Sequence, residues 1–191
     1  MTTTERFWTI PNILSLYRIA VFPFMLYLII EKNEFLFALF ITFSLVTDIL
    51  DGLIARVFNM QTQIGAKLDS WADTGTYILA FLAIYLFKWN EIKTHWFILF
   101  LFFLLWILSY AFVIIKFKGL IGLHTYFFKI TGYLQGAFIV CLFLFDFYAW
   151  LFYLSLSAGI LACIEEIIII SLLKTPANNV KGLYWVLRKK S

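Results

Sequence analysis

Residues 48–73 read DILDGLIARVFNMQTQIGAKLDSWAD, and this stretch decides how the chain is understood. It holds four of the chain's 11 acidic residues in a sequence that is otherwise strongly apolar. On a helix, Asp48, Asp51 and Ala55 stand at i, i+3 and i+7 and share one face, with Gly52 and Arg56 one step round. Gly65, Asp69 and Asp73 stand at i, i+4 and i+8 and share one face of the next helix. A connection of about eight residues makes the two helices antiparallel neighbours, so the four carboxylates converge.

Four carboxylates gathered in a place of low dielectric cannot all stay ionised unless protons or cations compensate them. An all-oxygen ligand set without His or Cys selects hard ions such as Mg²⁺, Mn²⁺ or Ca²⁺. Four acids suffice for two such ions roughly 3.5–4 Å apart, the arrangement that clamps phosphate chemistry. The small residues Gly52, Ala55 and Gly65 leave open space beside the acids. Arg56 is a permanent cation whose planar fork suits phosphate. Carboxylates, small residues and Arg56 together point to a pyrophosphate-containing nucleotide.

Around this stretch the composition is that of a membrane protein. Of the 191 residues, 63% are hydrophobic and 14% charged, against about 45–50% and 25% in soluble domains. A soluble core of this size has no room for so much apolar surface. Six runs are long enough to span a bilayer: 13–30, 35–54, 68–87, 96–115, 127–145 and 150–173. The predicted fold is therefore all-α, a six-transmembrane-helix bundle forming a single domain over residues 1–191. The opening MTTTERFWTIPN has no signal-peptide pattern, so the first span is expected to direct insertion itself. Cys141 and Cys163 lie in apolar runs without ligand spacing and are read as small buried hydrophobes. Many of the Trp and Tyr suit the headgroup level.

Charge gives an orientation. With both termini inside, the cytoplasmic side holds Arg6, Arg56, Lys67, Lys116, Lys118, Lys129, Lys174, Lys181, Arg188, Lys189 and Lys190, and the other side holds Lys32, Lys88 and Lys93. This asymmetry places both ends and the acidic site on the cytoplasmic face. The net charge of +4 and the tail LRKKS suit an anionic leaflet. Nucleic-acid binding is not expected, because the basic residues are scattered over loop ends.

The stretch resembles the signature of the CDP-alcohol phosphatidyltransferases, D-x-x-D-G-x-x-A-R, eight residues, then G-x-x-x-D-x-x-x-D. Asp48, Asp51, Gly52, Ala55, Arg56, Gly65, Asp69 and Asp73 meet every fixed position. At a residue frequency of about one in twenty, such a match arises by chance on the order of once in 10¹⁰ starts. The resemblance implies an integral membrane enzyme that moves a phosphatidyl group from CDP-diacylglycerol to a small alcohol and releases CMP. It implies two divalent ions, Mg²⁺ or Mn²⁺, held by Asp48, Asp51 and Asp69, with Asp73 completing the site and serving as general base. It further implies that Gly52, Ala55 and Gly65 lie along the CDP-lipid site, that Arg56 reaches the pyrophosphate, and that the protein is a homodimer in contact with membrane lipids.

The acceptor is read from weaker signals. IPNILSLYRIAVFP, residues 10–23, resembles the start of the branch containing phosphatidylglycerophosphate and cardiolipin synthases. Residues 69–74 read DSWADT where that branch usually has D-P-x-A-D-K. Glycerol 3-phosphate is the favoured acceptor, with serine, an inositol phosphate or phosphatidylglycerol as alternatives. Lys116, Lys118, His124 and Lys129 lie near the fourth loop and suit either an acceptor phosphate or ordinary loop charge. Arg18, inside the first span, either snorkels to headgroups or reaches the acidic site. Glu165 and Glu166 interrupt the last span; a structural ion pair with Arg18 or a loop lysine, or an interface role, is expected for them, with a contribution to the substrate cavity as the alternative. A divalent-ion-binding membrane protein without catalysis is the alternative of another class.

Overall fold

The computed structural model describes residues 8–58, 60, 62–118, 125–173 and 180–188. His124, Arg6, Lys174, Lys189 and Lys190, named above, lie outside the described residues. The described chain is helical: α1 Ile10–Ile30, α2 Glu34–Val57, α3 Gln63–Phe87, α4 Trp89–Ile92, α5 Trp96–Phe117, α6 Tyr126–Leu144, α7 Ala149–Leu172 and α8 Leu183–Arg188. A 3-10 turn, Lys93–His95, joins α4 to α5. Six helical stretches are long and apolar enough to cross a membrane, and the protein is an integral multi-pass membrane protein. Large apolar side chains on the outside, such as Phe35, Val57, Trp71 and Ile115, are what lipid rather than water accommodates.

The helix boundaries flanking the connection between α2 and α3 differ from the sequence reading. α3 begins at Gln63 rather than at 68 because Thr62 is an N-cap, its hydroxyl accepting the Gly65 N–H at 2.9 Å. α2 continues to Val57. The connection is thus only residues 58–62, and Gly65 already lies in the first turn of α3.

By their contacts the residues fall into two compact units, 1–91 with 142–146, and 92–141 with 147–191. In the first, α1 packs along both α2 and α3. Helix association in lipid rests on close packing and internal hydrogen bonds, because no water is released between the helices. Each helix buries one stripe at helical spacing: Phe37, Ala38, Ile41, Ser44, Thr47 and Asp51 on α2, and Ala72, Thr76, Leu79, Ala80 and Ala83 on α3. On α1 the stripe runs from Met25, Leu28 and Ile29 back to Arg18, Ser15 and Asn12. The α1 and α2 stripes are apolar at one end and polar at the other, and α3 turns polar at the same end through Thr76 and the half-buried Asp73 and Asp69. At the apolar end, Lys88 Nζ meets Glu34 at 2.8 Å and Glu91 at 3.7 Å. Partial burial lowers the Lys88 pKa, but the Glu34 hydrogen bond and the surrounding carboxylates outweigh this and raise it.

Close approach of α1 and α3 depends on Gly75, where a Cβ would run into the ring of Phe22. In the second unit α5 packs along α7, and α8 closes on α7 around Val113, Ile169, Ile170 and Val186. Ser109 Oγ donates to Glu166 Oε2 at 3.0 Å, and the Leu183 N–H donates to Glu165 Oε1 at 2.9 Å. Among the described residues neither glutamate has the cationic partner expected from sequence. A hydroxyl and a helix N-terminal amide take that place, and Arg18 is engaged in the first unit.

Gly75→Ala should lower the thermal unfolding midpoint in detergent, with an overpacking cost of about 1–3 kcal/mol. Gly136→Ala, where a Cβ meets nothing within 4 Å, should be neutral or gain up to about 1 kcal/mol of helix propensity. Equal midpoints for the two variants would refute the assignment of Gly75 to the α1–α3 contact.

Candidate functional site

The polar ends of the three stripes meet around one side chain. Arg18, on α1, is 1% exposed. Its Nη1 donates to Asp48 Oδ1 at 2.6 Å and to Asp73 Oδ1 at 2.9 Å. Its Nη2 donates to Asp51 Oδ2 at 2.9 Å and to Asp69 Oδ1 at 2.6 Å. One guanidinium thus holds all four aspartates of the motif. Asp51 is buried and also accepts from Ser15 Oγ at 3.2 Å. The side chains of Asp48, Asp69 and Asp73 are 37%, 42% and 41% exposed, so each remains reachable from outside.

The local sequence explains the convergence. Asp48 and Asp51 are one turn apart on α2, and Asp69 and Asp73 are one turn apart on α3. The five-residue connection and the Thr62 cap fix the two helices against each other. Asn12 on α1 ties into the same corner, its Nδ2 donating to Thr62 Oγ1 at 3.3 Å. A Cβ at Gly65 would strike Asn12 and Thr62, so α1 and the start of α3 approach this closely only with glycine there.

Beside the carboxylates lies an open cavity of about 220 Å³. Asp51 and Asp69 form one wall, Gly52, Ala55, Arg56 and Gly65 line it, and Asn12 and Ser15 close it from α1. A second, smaller cavity of about 50 Å³ adjoins Arg18, Asp48 and Asp73, with Thr76 and Tyr77. The eight motif residues are therefore gathered in one unit of the protein, six of them on the larger cavity and Asp48 and Asp73 on the smaller one, with the four aspartates joined in one ion cluster.

The cluster fits hard cations. Asp48, Asp51 and Asp69 each offer an oxygen, and these oxygens lie within 4.8 Å of one another. All donors are carboxylates, the set that Mg²⁺ and Mn²⁺ take. A cationic group already sits among them, and four carboxylates exceed the charge of one guanidinium. Arg18 Nε, in contrast, is buried without a hydrogen-bond partner among the described residues.

The sequence profile of the family described as CDP-alcohol phosphatidyltransferase matches residues 8–161. The chain belongs to this family. Its relatives include a CDP-diacylglycerol–glycerol-3-phosphate 3-phosphatidyltransferase of Aquifex aeolicus, 39% identical over 34% of this chain and 36% of the relative. The human cardiolipin synthase (CMP-forming) is 49% identical over 36% of this chain and 23% of the relative. The Streptomyces coelicolor cardiolipin synthase (CMP-forming) is 38% identical over 49% of this chain and 45% of the relative. The matched segments thus span under half the length of these relatives. No solved structure matches the chain.

The basic residues considered for an acceptor are placed differently. Arg18 lies inside the acidic cluster rather than snorkelling outward. Lys116 Nζ donates to the carbonyls of Ile170 and Ser171 at 2.7 and 2.9 Å, neutralising the C-terminal end of α7. Lys118 is the left-handed C-cap of α5. Lys129 Nζ lies 5.8 Å from the ring centre of Tyr126. Asn12, Ser15 and Thr62 escaped the sequence reading. The available signal was the spacing of Asn12, Ser15 and Arg18, a polar stripe at i, i+3 and i+6 in an apolar helix.

Thr62→Ala removes both the α3 cap and the Asn12 contact. A loss of about 0.5–2 kcal/mol is expected, read as a lower unfolding midpoint, whereas Thr62→Ser should retain most of the stability. Wild-type stability in Thr62→Ala would show that this corner does not hold the site together.

Proposed function

We propose that the protein transfers a phosphatidyl group from CDP-diacylglycerol to a small alcohol, releasing CMP. The observation that carries this reading is the convergence of the eight motif residues on two cavities beside one cluster of four carboxylates. Family membership and the relatives named above support it.

Asp48, Asp51, Asp69 and Asp73 would hold two divalent ions, Mg²⁺ or Mn²⁺. When bound, these ions neutralise the phosphate under attack and the departing CMP. Gly52, Ala55 and Gly65 leave the wall of the larger cavity flat enough for the cytidine. Arg56, on the same wall, reaches toward the pyrophosphate with a forked donor set. Asp73 stands one turn along α3 from Asp69 and is 41% exposed, which suits a base that takes the proton from the acceptor hydroxyl. The acceptor oxygen then bonds to the lipid-side phosphorus, the bond from that phosphorus to the bridging oxygen breaks, and CMP leaves with the electron pair. The lipid tails stay in the bilayer while the headgroup reacts.

Glycerol 3-phosphate is the favoured acceptor, supported by the Aquifex relative and by residues 10–23. Phosphatidylglycerol is the second reading, favoured by the human and Streptomyces relatives. The profile match runs through both units, which supports treating residues 1–191 as one functional domain. The charge asymmetry supports a cytoplasmic site and termini. A homodimer is part of the same reading, and crosslinking in native membranes that yields only monomer would remove it.

Purified protein in Mg²⁺ or Mn²⁺ should release CMP from CDP-diacylglycerol with glycerol 3-phosphate, and not without metal. Phosphatidylglycerol, serine and inositol 1-phosphate, tested separately, discriminate the acceptors. Metal binding without CMP release for any of them would favour a non-catalytic ion site. Asp69→Ala should reduce turnover by about 10²–10³-fold, and Glu166→Gln, in the other unit, should have a much smaller effect. Full activity of Asp69→Ala would sink the two-metal reading.

A further inference from the structure

We propose that Arg18 is the resident counter-cation of the acidic site, and that loading of divalent cations requires its guanidinium to leave the carboxylate centre. This rests on the metal-site reading above and adds a positioning residue to it. A single buried guanidinium touches Asp48, Asp51, Asp69 and Asp73 at 2.6–2.9 Å. These are the same carboxylates that a cation would need. Two cations a few ångströms apart in a low-dielectric place repel, and Arg18 already takes an oxygen of each carboxylate, so Arg18 and divalent ions compete for the centre of the cluster.

Three further observations support exchange rather than a permanent pair. Both Nη atoms are fully engaged, but Nε is buried without a partner, so the guanidinium gives up little at that edge by moving. The cavity of about 50 Å³ beside it, bordered by Asp48, Asp73, Thr76 and Tyr77, gives it somewhere to go. Three of the four carboxylates are more than a third exposed, which gives ions an approach that does not cross the helix packing. Arg18 thus keeps four like charges together and positioned when no other cation compensates them, and competes with the ions that replace it.

The test uses the full-length protein in detergent and titrates Mn²⁺, with bound ion read by the loss of the free-Mn²⁺ magnetic resonance signal. Arg18→Gln should bind Mn²⁺ at least about tenfold tighter than wild type, because a competing cation has gone. It should also unfold at a lower temperature than wild type in chelator, with the difference closing at saturating Mn²⁺. Unchanged or weaker Mn²⁺ binding by a folded Arg18→Gln protein would overturn the proposal.

If that variant does not fold, the wild-type protein carries the test. An arginine-selective dicarbonyl reagent, with peptide mass spectrometry, should leave Arg18 unmodified in chelator and modify it at saturating Mn²⁺. Equal protection in both conditions would overturn the exchange while leaving the metal site standing. Absence of Mn²⁺ binding to both proteins would overturn the exchange and the metal-site reading together.

Discussion

Everything in the first unit is organised around four carboxylates held by one guanidinium. Like charges at this spacing repel, and burying them raises the cost. The arrangement stands because Arg18 reaches all four with two nitrogens, and because Asp51, the most buried, has a second donor in Ser15. Removing Arg18, the one cation bonded to these carboxylates among the described residues, leaves uncompensated charge in a partly buried place. The network therefore dictates where α1 must cross α2 and α3. Its demands explain why the three buried stripes change from apolar to polar at the same end.

The small residues follow from the same constraint. A side chain as short as aspartate reaches a shared centre only if the backbones come close. Gly75 admits the Phe22 ring, Gly65 admits Asn12 and Thr62, and the alanines at 72, 80 and 83 keep α3 slim along its buried face. At the far end the same helices are joined by a simple, partly buried ion pair, Lys88 with Glu34. One end is thus a fastening, and the other is a chemically loaded cluster beside an open cavity.

The helices and the motif were legible because both are periodic. Apolar runs of spanning length mark the helices, and acids at i, i+3 and i, i+4 mark shared faces whatever the tertiary detail. The partner of those acids was less legible. Arg18 stands in an apolar run 30 residues before Asp48, and snorkelling and inward-facing arginines share one local pattern. Only the companion polar residues Asn12 and Ser15 distinguish the two. The start of α3 was missed because a side-chain cap, not hydropathy, sets it at Thr62. The partners of Glu165 and Glu166 were not readable either, since a serine one helix away and a backbone amide of α8 leave no charge signal in the sequence.

The charge order along the chain bears on how the protein enters the bilayer during synthesis. Arg18 emerges first on α1, Asp48 and Asp51 follow on α2 after a three-residue turn, and Asp69 and Asp73 arrive last on α3. A lone arginine or aspartate at the centre of an inserting helix costs about 2.5–3.5 kcal/mol. α1 and α2 are apolar enough to span despite these charges, but each carries that cost. Together they form a hairpin in which one charge offsets another. Only the third helix completes the cluster, so the charge cost carried by the first two is fully offset only when all three are together in the membrane.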